Sequence, residues 1–587
     1  MPEDRNIPNE QSPDVASFTI LSAGRELPGT VEVISFSITK ELNRIPKARI
    51  VVSDGSASTE DFTVSNESWF QPGEEIELKA GYHSDEQTLF KGLVVKHAIQ
   101  IRQSKSRLVL ECHDAAFRMT INRKSRYFFD STDAEAIDTI LGDYNLEKNV
   151  ESTEVTHTEL VQYDTTDWGF IVARTEANQK VVRVDDGKVE VQSVLFEDPV
   201  LTLQYGATIL EMDAEIDARF QHDGVKTCSW DPANQEPLEV EANEPRFEEA
   251  GNLSSSDLSS GLGLETFEII HGGNLKEDEI QQWADSKLLK ARLSKIRGRV
   301  LFQGFPDVKP GSIVELSGVG DRFNGKVYVS GIRHDFMEGN WTTHTQIGLD
   351  PNWFSNAYEL THQMASSMLP AIHGLQIGIV TNLEEDPDGE DRIQVRLPII
   401  DPAEDGVWAR LGCLDAGDSR GSFFRPEIED EVIVGFFNGD PRDPVILGML
   451  HSSAKPTPEA ITNDNHLKGF VSRSELKLTF DDENTVFTIE TPSGNIISLD
   501  EDQGGIYLED QNGNKIEMTS DGITIESAKD LQLKASGDIK LEGTNIENAA
   551  NAEFKAEGSA GAEVSSSAVM TIKGSLVPDN EPLINLN

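Results

Sequence analysis

Pairs of apolar residues recur at every eighth position in the C-terminal region of this 587-residue chain. In the stretch GITIESAKDLQLKASGDIKLEG (522–543), the pairs are Ile523 and Ile525, Leu531 and Leu533, and Ile539 and Leu541. Eight residues of strand extend over about 26 Å. Closed into one triangular turn they would form sides of roughly 9 Å, shorter than the roughly 10 Å between packed sheets. One octad therefore cannot make a complete turn alone.

Two arrangements avoid this steric limit. Either one chain uses three octads, about 24 residues, for each coil, or three chains each supply one octad to each layer. Both arrangements place the apolar pairs on an inner axis and the Lys, Asp, Glu and Ser side chains outside. Repeats of this kind cannot bury their own apolar face and must stack. The pattern predicts a long, thin and stiff shaft.

The eight-residue period continues towards the C-terminus with one slip, because the step from Ile539 to Ile546 is seven residues. Small residues dominate 548–568, which predicts a narrowing shaft. The predicted core of the shaft comprises Ile523, Ile525, Leu531, Leu533, Ile539, Leu541, Ile546, Phe554, Val564 and Ile572.

Length and charge restrict the function. A chain of 587 residues is too long to fold around a single hydrophobic core, so we expect several domains. Lys and Arg number 51 against 102 Asp and Glu, a net charge of −51, which argues against nucleic acid as a partner. The start, MPEDRNIPNEQSPD, does not have the pattern of a signal peptide, so we expect synthesis in the cytoplasm. Three widely separated cysteines suit a reducing compartment.

Most of the chain has the two-residue alternation of β-strands, beginning with 17–120. Helices are predicted over 133–144, over 166–178 with Asp164, Thr165 or Thr166 as the N-cap, and over 278–298. A short helical bridge is predicted over 359–372. The segment 231–262 loses periodicity and is predicted to be a loop or an elaborated connection.

Five short strand candidates fall between residues 374 and 450 and are separated by acidic or Gly-rich turns. Five strands in fewer than eighty residues favour a small closed barrel such as the OB-fold. A Pro-rich linker follows, and from residue 470 onward the chain consists of short strand candidates and Gly, Asn or Asp turns.

Two motifs imitate catalytic sites without the context that such sites need. Gly417–Gly421 (GDSRG) matches G-x-S-x-G, but a strand follows it instead of a helix. Gly320–Val327 resembles a phosphate-binding loop, but Val327 stands where Ser or Thr would hold magnesium. The acidic turns at 386 and 500 do not have the spacing of calcium loops. We predict no catalytic, cofactor-binding or metal-binding residue and no enzymatic activity.

Several segments resemble the VgrG-type spike proteins of contractile injection systems. These segments are RIQVRLP (392–398), WARLGCLDAG (408–417), PEIEDEVIVGFFNGDPRDPVILGML (426–450) and the octads. QYDTTDWGFIVARTEAN (162–178) and GFPDVKPGSIVELSGVGDRFNGKVYVSGIRHDF (304–336) resemble hub segments of the same family. The family includes spikes of type VI secretion and extracellular phage-tail-like particles, and phage baseplate hubs with their cell-puncturing proteins.

The resemblance implies a mainly β homotrimer with two hub β-barrel domains carrying helical inserts, an OB-fold barrel and a trimeric intertwined β-prism or β-helix needle. The implied order is an N-terminal tail (1–16), a first hub barrel with a helical insert (17–230), a connection (231–265), a second hub barrel (266–372), the OB-fold (373–452), a linker (453–469), and the needle and tip (470–587).

The resemblance also implies partners: an inner tube protein, baseplate proteins, possible effectors and a PAAR-type tip protein. The apolar residues Pro582, Leu583, Ile584 and Leu586 would dock the tip protein, or alternatively plug the prism. The implied function is a structural spike, assembled into a contractile particle, that punctures a target envelope. The alternative is a secreted single-chain β-helix that binds or degrades polysaccharide.

Overall fold

The computed structural model describes residues 15–103, 105–358, 360, 364–571 and 573–574. The chain divides into two compact units, with the boundary between Gly448 and Met449. The regular secondary structure of both units is mainly β-strand, as predicted. Among the described residues, no helix has the length and apolar character needed to cross a membrane.

The first unit begins with seven strands whose buried residues alternate along the chain. In the third strand, for example, Phe36 and Ile38 are buried and their neighbours are partly exposed. This alternation places one face of each strand on a core. The strands are β1 (Ser17–Ser22), β2 (Arg25–Glu26), β3 (Val33–Glu41), β4 (Lys47–Ser53), β5 (Glu75–Tyr82), β6 (Asp85–Ile101) and β7 (Ser106–His113), with helix α1 (Thr63–Asn66) before β5.

An inserted region with two predicted helices follows. Its elements are β8 (Arg123–Thr132), α2 (Asp133–Gly142), β9 (Glu147–Val150), β10 (Thr156–Thr166), α3 (Asp167–Ala177), β11 (Lys180–Asp185) and β12 (Lys188–Ser193). Thr132 and Glu135 form a reciprocal capping box at the start of α2. Thr166 caps α3, because its hydroxyl accepts a hydrogen bond from the amide of Gly169 at 3.0 Å. Both helix predictions are confirmed.

The next elements are β13 (Leu201–Gln204), β14 (Ile209–Ile216), β15 (Val225–Asp231), β16 (Glu236–Glu241), α4 (Ser255–Leu262), β17 (Phe267–His271), α5 (Glu277–Leu293) and β18 (Ile296–Gln303). The predicted loop over 231–262 is more structured than expected, since it contains β16 and α4. Ser254 and Asp257 form a capping box at the start of α4. Helix α5 ends earlier than predicted because Ile296 and Val300 enter a sheet.

Three further strands join the two halves of this unit: β19 (Ile313–Ser317), β20 (Gly325–Met337) and β21 (Asn340–Ile347), followed by helix α6 (Phe354–Ala357). Strand β20 pairs with β21 and with β3, which creates one 13-stranded sheet. Its path is β14-β18-β21-β20-β3-β4-β7-β6-β5-β1-β2, and β13 and β19 join it through β20.

The two regions predicted as hub barrels have separate hydrophobic cores on this shared sheet. One core contains Phe36 and Ile50, and the other contains Phe302 and Val329. Strand β14 pairs with β18, so residues 209–216, assigned from the sequence to the first hub domain, belong to the second group of strands.

The predicted helical bridge over 359–372 is wrong for its described part. Only a short 3-10 turn, Met364–Ser367, is present, and Ala365 and Ser366 have positive φ angles of 53°. Pro370 disfavours helical geometry in the residue before it.

The predicted OB-type barrel is confirmed as a closed five-stranded barrel of order β22-β23-β24-β28-β27. The strands of this region are β22 (Gln376–Asn382), β23 (Ile393–Arg396), β24 (Val407–Leu411), β25 (Ala416–Gly417), β26 (Arg420–Gly421), β27 (Glu431–Phe436) and β28 (Pro444–Met449). Val380, Val395 and Val432 lie in its core. The GDSRG motif forms the β25–β26 hairpin, as expected for a loop.

The second unit contains seven antiparallel strands that pair in chain order, which forms a meander. They are β29 (Leu467–Val471), β30 (Lys477–Asp481), β31 (Val486–Glu490), β32 (Ile496–Asp500), β33 (Gly505–Glu509), β34 (Lys515–Thr519) and β35 (Gly522–Glu526). The sequence predicted short strands to the C-terminus, but residues 527–571 contain neither strand nor helix. We call this segment the octad arm.

Candidate self-association surface

Two columns of apolar side chains run across one face of the meander from β30 to β35. Direct cross-strand pairing sets both columns, because residues two apart on a strand point to the same face. Column one is Leu478, Ile489, Ile497, Leu508, Ile516 and Ile525. Column two is Phe480, Phe487, Leu499, Ile506, Met518 and Ile523. Every cross-strand neighbour in each column is apolar.

Eight of the twelve column residues are exposed to solvent in the single chain, and the other four are half-buried. Ile497 is 43% exposed, Leu499 is 46% exposed and Ile525 is 53% exposed. An apolar strip that crosses six strands is larger than the scattered apolar residues of ordinary protein surfaces. The meander therefore presents a face that other protein surface must cover.

The octad arm continues this exposure. Nine of the ten predicted core residues fall within the described residues. Two of them lie in β35, and the seven in the arm have exposed fractions from 54% at Ile539 to 81% at Val564. Ile572 lies outside the described residues, as do Pro582, Leu583, Ile584 and Leu586. No element of the described chain covers the apolar side chains of the arm.

Two turns of similar sequence at one end of the meander hold neighbouring backbone segments in place through hydrogen bonds. They are Thr491–Asn495 (TPSGN) and Asp510–Asn514 (DQNGN). The Oδ1 of Asn495 accepts a hydrogen bond from the amide of Gln511 at 3.2 Å. The Oδ1 of Asn514 accepts one from the amide of Ala528 at 3.0 Å, which fixes the start of the octad arm.

Backbone and side-chain hydrogen bonds from Asn514 to the carboxylate of Asp510 hold the pKa of Asp510 well below its usual range. This carboxylate also accepts a hydrogen bond from the amide of Asn512 at 2.8 Å. The sequence predicted Gly, Asn or Asp turns in this region but did not single out these two, although both share the pattern T/D-x-x-G-N.

The opposite face of the meander is mainly polar. Its central column consists of Thr479, Thr488, Ser498, Tyr507, Glu517 and Thr524. Among the described residues, no three His, Cys, Asp or Glu side chains cluster as metal ligands would. A sheet with one apolar and one polar face is suited to association through its apolar face, because this contact removes apolar surface from water.

A buried charge network connects the elements of the inserted region in the first unit. The guanidinium of Arg174 donates to both oxygens of Asp133, at 2.5 and 2.9 Å. Asn178 donates to the same carboxylate at 2.8 Å, and Nε2 of His157 lies 3.0 Å from it. Burial alone would raise the pKa of Asp133, but the hydrogen bonds from His157 and Arg174 hold it well below its usual range. The network therefore holds α2, α3 and β10 together.

Comparison with protein families gives three matches along the chain. The family described as the Alg8 N-terminal domain matches residues 12–338. The type VI secretion system/phage-baseplate injector OB domain matches residues 376–451, the region of the closed barrel. The phage baseplate V C-terminal trimerisation domain matches residues 486–550, which include both apolar columns from β31 onward and half of the octad arm.

Curated relatives include type VI secretion system spike proteins. VgrG1b of Pseudomonas aeruginosa is 23% identical over 244 residues, 39% of this chain and 32% of the relative. VgrG3 of Vibrio cholerae is 29% identical over 132 residues, 19% of this chain and 12% of the relative. The matched segments thus span a third or less of the length of these relatives.

Solved structures with a similar chain path include the 43 kDa tail protein of prophage MuSo2 from Shewanella oneidensis. It has a TM-score of 0.43 and 10% identity, and the match covers 57% of this chain and 98% of the tail protein. The Francisella PdpA–VgrG complex in its half-lidded form gives a TM-score of 0.39 and 9% identity, and the match covers 87% of this chain and 88% of that chain.

The closed barrel and the sequence matches make this chain similar to VgrG-type spike proteins. Because the Alg8 N-terminal domain matches more than half of its length, this chain belongs to that family.

Proposed function

We propose that three copies of this chain associate through the apolar columns and the octad arms to form the central spike of a contractile injection apparatus. The observation that carries the proposal is the exposure of both columns and of the arm in the single chain. Association with further chains is favourable because it removes this large apolar surface from water.

Three chains fit the octads better than one. The single-chain solution needs successive coils of strand within one polypeptide, but strands β29 to β35 form an antiparallel meander instead of a coil. The described part of the octad arm has no strand that pairs with its own chain. The match to a trimerisation domain over residues 486–550 supports the three-chain solution.

The remaining roles in the proposal follow from this architecture. The two hub regions attach the spike to an inner tube and a baseplate, and the needle transmits the force that punctures a target envelope. A PAAR-type tip protein docks at Pro582, Leu583, Ile584 and Leu586, and effectors travel with it. The chain acts mechanically and not as an enzyme. It is made in the cytoplasm and leaves within the particle.

The alternative, a secreted single-chain β-helix that acts on polysaccharide, requires a monomer with a parallel coil. The antiparallel order of the meander argues against that architecture. No observation on the described part of the second unit favours the alternative over the spike.

Light scattering on the purified full chain tests the proposal. The expected particle mass is three times the chain mass of 64.7 kDa. A trimer that persists on dilution supports the proposal, and a monodisperse monomer contradicts it. Micrographs of particles assembled with and without this chain test the spike role. Loss of the central density from particles without the chain is the expected result.

A further inference from the structure

A groove with a volume of about 870 Å³ lies at one end of the first group of strands. Phe18, Val33 and Phe336 form its apolar floor, and Phe18 packs against Phe336 with ring centroids 4.8 Å apart. Ile101 also lines the groove, and its side chain is 65% exposed. This volume lies within the range of sites that hold small ligands or short peptide segments.

Three cations stand on the rim of the groove at the β6–β7 hairpin: Arg102, Lys105 and Arg107. None of them forms an ion pair with a carboxylate among the described residues, and the guanidinium of Arg102 donates to the carbonyl oxygen of Ile101. The other charged residues of the groove are Glu32 and Glu338. The groove is thus net positive in a chain whose net charge is −51.

The chain enters the structure beside this groove. Val15 lies beside Gly339, which lines the groove. Its Cγ1 is 3.5 Å from the position that a Cβ would take at Gly339. Residues 1–14 precede Val15 and carry four carboxylates and one arginine. Their net charge of −3 is opposite to that of the rim. Ile7 is their one β-branched apolar residue, and eight residues of chain reach up to about 26–29 Å.

We propose that residues 1–14 bind in this groove of the same chain, with Ile7 against the apolar floor and the carboxylates against Arg102, Lys105 and Arg107. Three observations carry the proposal. The described chain begins beside the groove, residues 1–14 and the rim have opposite charges, and the apolar floor adjoins the exposed Ile101. The contact covers apolar surface and gives the three cations their missing counter-charges.

The test is a binding titration with a labelled peptide of residues 1–14, followed by fluorescence anisotropy. The peptide should bind the chain lacking residues 1–14. It should bind the full chain at least tenfold more weakly, because the native segment competes. Added salt should weaken the binding of the peptide, since the rim contacts are exposed charges.

Two variants and one peptide control decide the outcome. Arg102→Glu, Lys105→Glu and Arg107→Glu together should weaken peptide binding at least tenfold in the shortened chain, with circular dichroism confirming the fold. Arg299→Glu, an exposed cation outside the groove, should leave binding unchanged. Binding that survives the triple change overturns the proposal. A scrambled peptide that binds equally well also overturns it, because the groove would then recognise acidic peptides in general.

Discussion

Replacing Ile525 with Asp tests whether other chains cover the apolar columns. Ile525 pairs with Ile516 and is 53% exposed in the single chain. Full burial of an Ile side chain contributes about 1.5–3 kcal/mol, so covering its exposed half contributes about 1 kcal/mol. A buried carboxyl without a partner costs a further ~1–3 kcal/mol.

The change therefore removes about 2–4 kcal/mol for each chain, or about 6–12 kcal/mol for a trimer that carries three copies. Each 1.4 kcal/mol changes an equilibrium constant about tenfold. The concentration at which half of the chains are trimeric varies as the square root of the trimer dissociation constant. That concentration should rise by roughly 100-fold or more.

Sedimentation velocity over a dilution series measures this concentration. Thr524→Asp is the matched control, because Thr524 is the preceding residue, lies on the polar face and pairs with Glu517. It adds the same charge without touching a column and should leave the trimer intact. An Ile525→Asp protein that stays as trimeric as the unmodified chain would refute the reasoning. Equal dissociation of the Thr524→Asp protein would show that charge alone weakens association.

Three further outcomes follow from the described contacts. Arg174→Ala should destabilise the first unit by about 3–5 kcal/mol, because the carboxylate of Asp133 would stay buried without the guanidinium that balances its charge; thermal unfolding measures this. Asn514→Ala should speed hydrogen exchange at the amide of Ala528, which loses its acceptor. Burial raises the pKa of the Cys112 thiol to about 12, so an alkylating reagent should modify Cys112 only after unfolding, as read by mass spectrometry.

Each of these outcomes has a control or a contradicting result. Arg442→Ala removes an exposed arginine that pairs with Asp440 and should change the melting temperature little. Asn495→Ala should affect the amide of Gln511 but not that of Ala528. Labelling of Cys112 in the folded chain as fast as labelling of the exposed thiol of Cys413 would contradict its burial.

The charge network also predicts acid sensitivity. The pKa of Asp133 is held below its unfolded value, so its contribution to stability is complete above about pH 4. The contribution is lost as the pH falls from there towards the pKa in the folded state. Replacing Arg174 with Ala should flatten this part of the stability profile, measured by denaturant unfolding at several pH values.

Local signals in the sequence predicted much of the first unit. An apolar-periodic segment after the N-cap candidates Asp164, Thr165 and Thr166 predicted helix α3, and five short alternating segments predicted the closed barrel. The shared 13-stranded sheet could not be predicted, because the pairing of β20 with β3 joins residues about 300 positions apart. No local pattern reports which distant strand edge a strand will meet.

The surface of the second unit was predicted in part. The octads identified the apolar residues of the arm, but the two columns on the meander follow hairpins with a longer repeat, which a search for octads does not detect. The end of the strands at Glu526 was also not predicted. The alternation of apolar and polar residues identifies which side chains share one face of a strand. It does not identify the surface that covers that face, because this surface can belong to another chain.

In the proposed trimer, the change of spacing after β35 has a consequence for the register of the three arms. One octad is much like the next, so neighbouring arms displaced by a whole octad would still match apolar with apolar. The meander removes this ambiguity, because Ile497 and Ile516, at equivalent places on alternate strands, are not separated by a multiple of eight. A displaced partner would find matching contacts in the arm and mismatched ones in the meander. The meander would thus fix the register in which the three arms associate.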